Sequence, residues 1–224
     1  MTLHFFRSME KLKERIVNLS ARVEEDLHKA VDALLHRDSD LAQKVIDNDE
    51  KIDAMEVDIE EECLKNLALH QPVAKDLRFL ISVLKINSDI ERIGDLSVNI
   101  AETAQFLNLK KKIEPPFDLR KMADLVKCMV KKSLDALLQE NVELAKEVLA
   151  EDEEVNEIHK NAFPIVTKHI LEQPEVADNY IRMLSVSRYL ERVADYATNI
   201  AEDVIYMVKG DIVRHTSNAK ENES

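Results

Sequence analysis

A phrase of twelve residues occurs twice in the chain, 100 positions apart. The first copy runs from Glu91 to Glu102 and the second from Glu191 to Glu202. Glu, Arg, Asp, Asn, Ile, Ala and Glu recur at the same places. A repeated core needs only its apolar residues to recur. Here the polar residues recur as well, which points to a site built twice. On a helix, positions i, i+4, i+8 and i+11 fall within an arc of roughly 80°. Glu91, Asp95, Asn99 and Glu102 therefore share one face, and Glu191, Asp195, Asn199 and Glu202 share its counterpart. Carboxylates at i and i+4 repel each other, and a solvated helix more often places Lys four residues after Glu. A hard cation with oxygen ligands would neutralise such a face. The plainer alternative is a solvated acidic surface with Arg92 and Arg192 beside it.

A second acidic row has the same geometry. Asp49, Asp53, Glu56 and Glu60 also lie at i, i+4, i+7 and i+11. If the two helices run antiparallel, the rows face each other and their oxygens converge. At an offset of 103 the equivalents are Asp152, Asn156, His159 and Phe163. The second half thus exchanges two carboxylates for Asn and His, which makes a less anionic and softer donor set.

Long helices must position these rows. The chain has 224 residues with only 2 Gly and 5 Pro, and its aromatic content is 4%. Sheets need turns rich in such breakers, and this composition points to long helices instead. Apolar residues at 3–4 spacing predict a first helix from Phe5 to Leu34, followed by a turn at His36–Ser39 in which Asp38 or Ser39 caps the start of the next helix. A second helix is expected from about Asp40 to Leu69. Gln71-Pro72 breaks the pattern, with Pro72 in the first turn of a third helix reaching Leu107. The Lys and Pro residues from Lys110 to Pro116 form a central linker. Asp118 and Asn141 are placed to cap the fourth and fifth helices, Pro164 to kink the fifth, and Gly210 to end the sixth. Gln173-Pro174 repeats the earlier breaker. The expected fold is all-α: two pseudo-symmetric three-helix bundles side by side, residues 1–110 and 111–210, with a flexible tail at 211–224.

The net charge is −13, which disfavours nucleic acid and anionic membrane surfaces as partners. No apolar run reaches the ~20 residues of a membrane span, and no secretory h-region opens the chain. Cys63 and Cys128 are isolated and read as reduced thiols.

The tandem motif E-R-[IV]-[GA]-D followed by N-I-A-E resembles the PhoU family across about residues 5–208. The resemblance implies two three-helix bundles whose E/D-x-x-x-D motifs hold multinuclear metal clusters. Here these would be Glu91/Asp95, Glu191/Asp195 and Asp49/Asp53. Asp152/Asn156 departs from the pattern. Iron, zinc, nickel, manganese or magnesium are the candidate metals. The resemblance also implies a cytoplasmic homodimeric adaptor without catalytic activity. It would act with the ATPase subunit of the phosphate ABC transporter and the phosphate-sensing histidine kinase, and would hold phosphate acquisition down.

Two rivals stand beside that expectation. A di-metal carboxylate enzyme requires two Glu-x-x-His pairs on facing helices, and the sequence offers Glu25 with His28 alone. A metal-free helical scaffold would leave the recurrence of Asn99/Asn199 and Glu102/Glu202 without a reason.

Overall fold

In the computed structural model, which describes residues 3–213, the apolar stripe of the N-terminal segment forms one long helix, α1 (Leu3–His36). Leu12, Ile16, Leu19, Val23 and Leu27 along that stripe are all buried. α2 (Ser39–Ile46) opens on Asp38, whose carboxylate accepts from Leu41 N at 2.9 Å. α3 (Asp49–His70) and α4 (Ala74–Asn108) complete the first half. In the second half α5 (Leu119–Gln139) is capped by Asp118 and α6 (Val142–Glu172) by Asn141, each through a side-chain oxygen. A 3-10 turn at Pro174–Val176 leads into α7 (Ala177–Lys209), which Gly210 ends at φ 82°.

The architecture is all-α, in two related halves. Two expected boundaries differ. The run from Asp40 to Leu69 is not one helix, because the chain tightens at Asp47 and Asn48 before α3 starts. Three consecutive residues of cap type, Asp47, Asn48 and Asp49, mark that place in the sequence. Pro72 lies outside the following helix, between the left-handed Gln71 and the first residue of α4. α6 runs through Pro164 without interruption. The predicted tail lies outside the described residues beyond Val213.

With so little glycine, other residues take the left-handed turns. Arg37, Gln71, Ala74 and Glu140 have φ between 44° and 59°, where a side chain costs ~1–2 kcal/mol. Gly94 is different: it is helical, and a Cβ there would sit 3.3 Å from Ile52 Cγ2. Its small size lets α4 approach α3 closely.

One apolar core runs through both halves, from Phe5 to Met207. α4 and α7 form its seam and run antiparallel. Lys85 lies 3.5 Å from Asp203, Arg92 over the ring of Tyr196, and Arg182 over the ring of Phe106. A small satellite cluster of Val166, Val176 and Tyr180 closes the far end of the second half. Among the described residues no helix is long and apolar enough to cross a membrane.

Candidate metal centre

α3 packs antiparallel against α4, and α6 against α7, so each acidic row meets the partner row expected from the sequence. In the first half Asp49, Asp53 and Asp95 each bring an oxygen within 4.8 Å of the other two. No second trio of His, Cys, Asp or Glu donors converges as closely among the described residues.

Electrostatics show which other acids belong to the site. Burial raises Glu91 to about 7, with Asp95, Asp53 and Glu56 adding repulsion that Arg92 only partly offsets. Burial also raises Asp95, helped by Asp53. Asp49 is raised by burial and then by Asp53, Asp95, Asp26 and Glu102. Asp49 Oδ1 is buried and accepts no hydrogen bond. A buried carboxylate oxygen without a donor is costly, and a cation is the partner that would satisfy it together with the neighbouring acids. The donor set is all oxygen, which fits a hard cation.

Asp26 was not legible from the spacing. It sits on α1, 1% exposed, and its carboxylate accepts from Asn48 Nδ2 while Lys29 stands 3.6 Å away. Arg22 donates to Asn48 Oδ1 at 2.6 Å. Asn48 therefore gives its side chain to the core and caps nothing at α3. Asp49, the next residue, is thereby fixed at the head of α3 opposite Asp95. The signal was present as one acid inside the apolar stripe of α1.

The second half is built from the same elements with different donors. Burial raises Asp195 to about 6, followed by Glu191 and Asp152, against Arg192. Asp152 is raised by burial and partly relieved by Asn156, which donates to its Oδ2 at 2.7 Å. Asp152 Oδ1 is buried without a hydrogen bond. His159, one turn on, places Nδ1 2.9 Å from Ser187 Oγ. The Ser187 hydroxyl proton is already given to Leu184 O. Ser187 must therefore accept, so Nδ1 carries the proton and Nε2 keeps its lone pair. The second half thus carries Asp152 and Asp195 near each other, with the His159 imidazole further along α6 beside Ser187.

The ends of the repeated phrase do not join these centres equally. Asn99 turns back to donate to Asp95 O at 2.9 Å. Glu102 is close enough to Asp49 to repel it. Asn199 and Glu202 line a separate groove on the α4–α7 seam with Lys85 and Arg92. Eleven residues of helix span ~16 Å, so one face cannot converge on one point. Arg92 also serves the seam, lying over the Tyr196 ring, while Arg192 donates to Tyr196 Oη at 3.3 Å within α7 itself. Glu25 and His28 are exposed on α1, and Glu25 pairs with Lys29 at 2.8 Å.

Comparison with known proteins gives a consistent picture. The PhoU domain matches twice, at residues 16–104 and 119–204. The phosphate-specific transport system accessory protein PhoU homolog of Aquifex aeolicus is 36% identical over 213 residues, covering 95% of this chain and 96% of that protein. The Pseudomonas putida homolog is 37% identical over 214 residues, covering 94% and 83% respectively. The crystal structure of PhoU from Pseudomonas aeruginosa superimposes with a TM-score of 0.89 at 35% identity, over 92% of this chain and all of that one. That of PhoU from Streptococcus pneumoniae gives a TM-score of 0.81 at 29% identity, over 93% of this chain and 99% of that one. With both repeats matched and two solved members sharing its fold, the chain belongs to the PhoU family of phosphate-transport accessory proteins.

Proposed function

We propose that this chain is a cytoplasmic metal-binding adaptor that restrains phosphate uptake and the phosphate-starvation two-component response, working as a homodimer and without catalysis of its own. The observation that supports it most directly is the approach of Asp49, Asp53 and Asp95 within 4.8 Å. Binding a divalent cation would relieve both the mutual repulsion and the burial cost of these acids. Bound cations would supply positive charge to an anionic face, able to attract phosphate or a partner's carboxylates. The chain's own residues do the rest. Asn48 and Asp26 hold Asp49 in register, Asn156 orients Asp152, and Ser187 fixes the tautomer of His159. Metal identity is open to iron, zinc, nickel, manganese or magnesium. The ATPase subunit of the phosphate transporter and the phosphate-sensing histidine kinase are the proposed partners.

The test is metal content by mass spectrometry after purification without added metal or chelator, for wild type and for Asp95→Asn/Asp195→Asn, with capture of the transporter ATPase measured on the same samples. Stoichiometric metal in wild type, lost from the double variant together with ATPase capture, is the expected result. A double variant that keeps its metal and its partner would remove the reading.

A further inference from the structure

The linker between the halves roofs a cavity of about 370 Å³, within the size range of small-molecule sites. Its walls come from the C-terminal ends of α1 and α4, the linker, the start of α5, and α7. Leu34, Leu107, Phe117 and Met183 give it an apolar lining. Four cations line it too: Arg37, Lys111, Lys112 and Arg120. Of the two acids beside them, one pairs with a lining cation and the other caps α5. Glu114 pairs with Lys112 at 3.6 Å, and Asp118 Oδ1 accepts from Lys121 N at 3.0 Å. Lys111 and Arg120 have no ion pair among the described residues. In a chain of net charge −13 this is a local reversal of sign.

The linker is also tied down at this end of the molecule. Arg37 adopts φ 59° and directs its guanidinium to Asn108 O at 2.8 Å and Lys110 O at 2.9 Å. Asn179 of α7 donates to Lys111 O at 2.9 Å. The first linker residues are thus tied to both halves.

We propose that this cavity is an effector site for a small amphipathic organic anion, with a ring-sized apolar body and a phosphate or carboxylate. The apolar walls take the body and the unpaired cations take the charge. Because its walls come from both halves, the occupant bridges them. The site shares no lining residue with the acidic rows, and it stands or falls apart from the metal reading.

The experiment is a fluorescence titration of the full chain with 1-anilinonaphthalene-8-sulfonate, followed by displacement with 1-naphthyl phosphate and with uncharged 1-naphthol. Lys111→Glu/Arg120→Glu is compared with a charge-matched control, Lys65→Glu/Lys168→Glu; all four positions are exposed, and helical circular dichroism confirms folding. The expected result is saturable one-to-one binding, displaced by the phosphate and not by the naphthol. The Lys111/Arg120 variant should lose affinity by about tenfold or more, and the control should not. Amide-exchange protection by 1-naphthyl phosphate should fall on residues 110–120. Absence of saturable binding, equal behaviour of the two variants, displacement by naphthol as good as by phosphate, or protection elsewhere would each overturn the proposal.

Discussion

Asn48 donates its side-chain amide to the buried carboxylate of Asp26, so the break between α2 and α3 is anchored in the middle of α1. Removing the amide strands a buried acid. Asn48→Ala should cost roughly 1–3 kcal/mol, the penalty for a buried polar group left without its partner. Urea unfolding measures it. An unchanged midpoint would mean that Lys29 alone is enough for Asp26.

Stripped of metal by chelation, the protein should lose thermal stability as pH rises. Glu91 holds its proton more tightly folded than unfolded, so its contribution is largest below its ordinary value of 4.5 and drains away up to about 7. Asp195 does the same between 3.8 and about 6. Scanning calorimetry across that window should show a falling midpoint, and added divalent metal should flatten the fall. A midpoint that rises through the window would contradict the electrostatics described above.

Asp95→Asn should stabilise the stripped protein above pH 7 while lowering its metal content. The substitution removes the neighbour that most repels Glu91 and a repulsive charge on Asp49. Most substitutions destabilise, so a gain in stability coupled to a loss of metal would be a distinctive signature. Calorimetry and metal analysis on one preparation settle it.

His159 should set the metal preference of the second half. With the first half disabled by Asp95→Asn, wild-type His159 should retain zinc or nickel better than magnesium, because imidazole nitrogen favours the softer ions. His159→Ala should erase that preference. Competition dialysis against mixed metals reads the ratio, and an unaltered ratio would take the imidazole out of the site.

Arg37→Gly should be less damaging than Arg37→Ala. Both lose the bonds to Asn108 O and Lys110 O, but only alanine keeps a side chain at φ 59°. The difference should be ~1 kcal/mol in chemical denaturation.

The site was legible in the sequence where it depends on angle around a helix. Spacing alone placed Asp49 and Asp53 opposite Glu91 and Asp95, and the side-chain caps at Asp38, Asp118 and Asn141 followed from residue type. What spacing does not carry is position along a partner helix. Asn199 and Glu202 share a face with Glu191 and Asp195 yet end in another groove, beside Lys85 and Arg92. Contacts between helices also escape periodicity. Arg92, which the spacing places only beside the acidic face, lies over the ring of Tyr196 on α7. The break before α3 was missed because a long apolar pattern hid three consecutive cap residues.

The antiparallel pairing of α4 with α7 has a bearing on how such a chain arose. Each half presents to the other the helix that carries its own copy of the repeated phrase, and the core does not close until they meet. A half-length precursor would have exposed that face, and a second identical copy laid against it about a twofold axis would have covered it. Fusion of two copies would keep the inherited contact while freeing each to drift, which is how one side could retain four acids where the other came to hold an asparagine and a histidine.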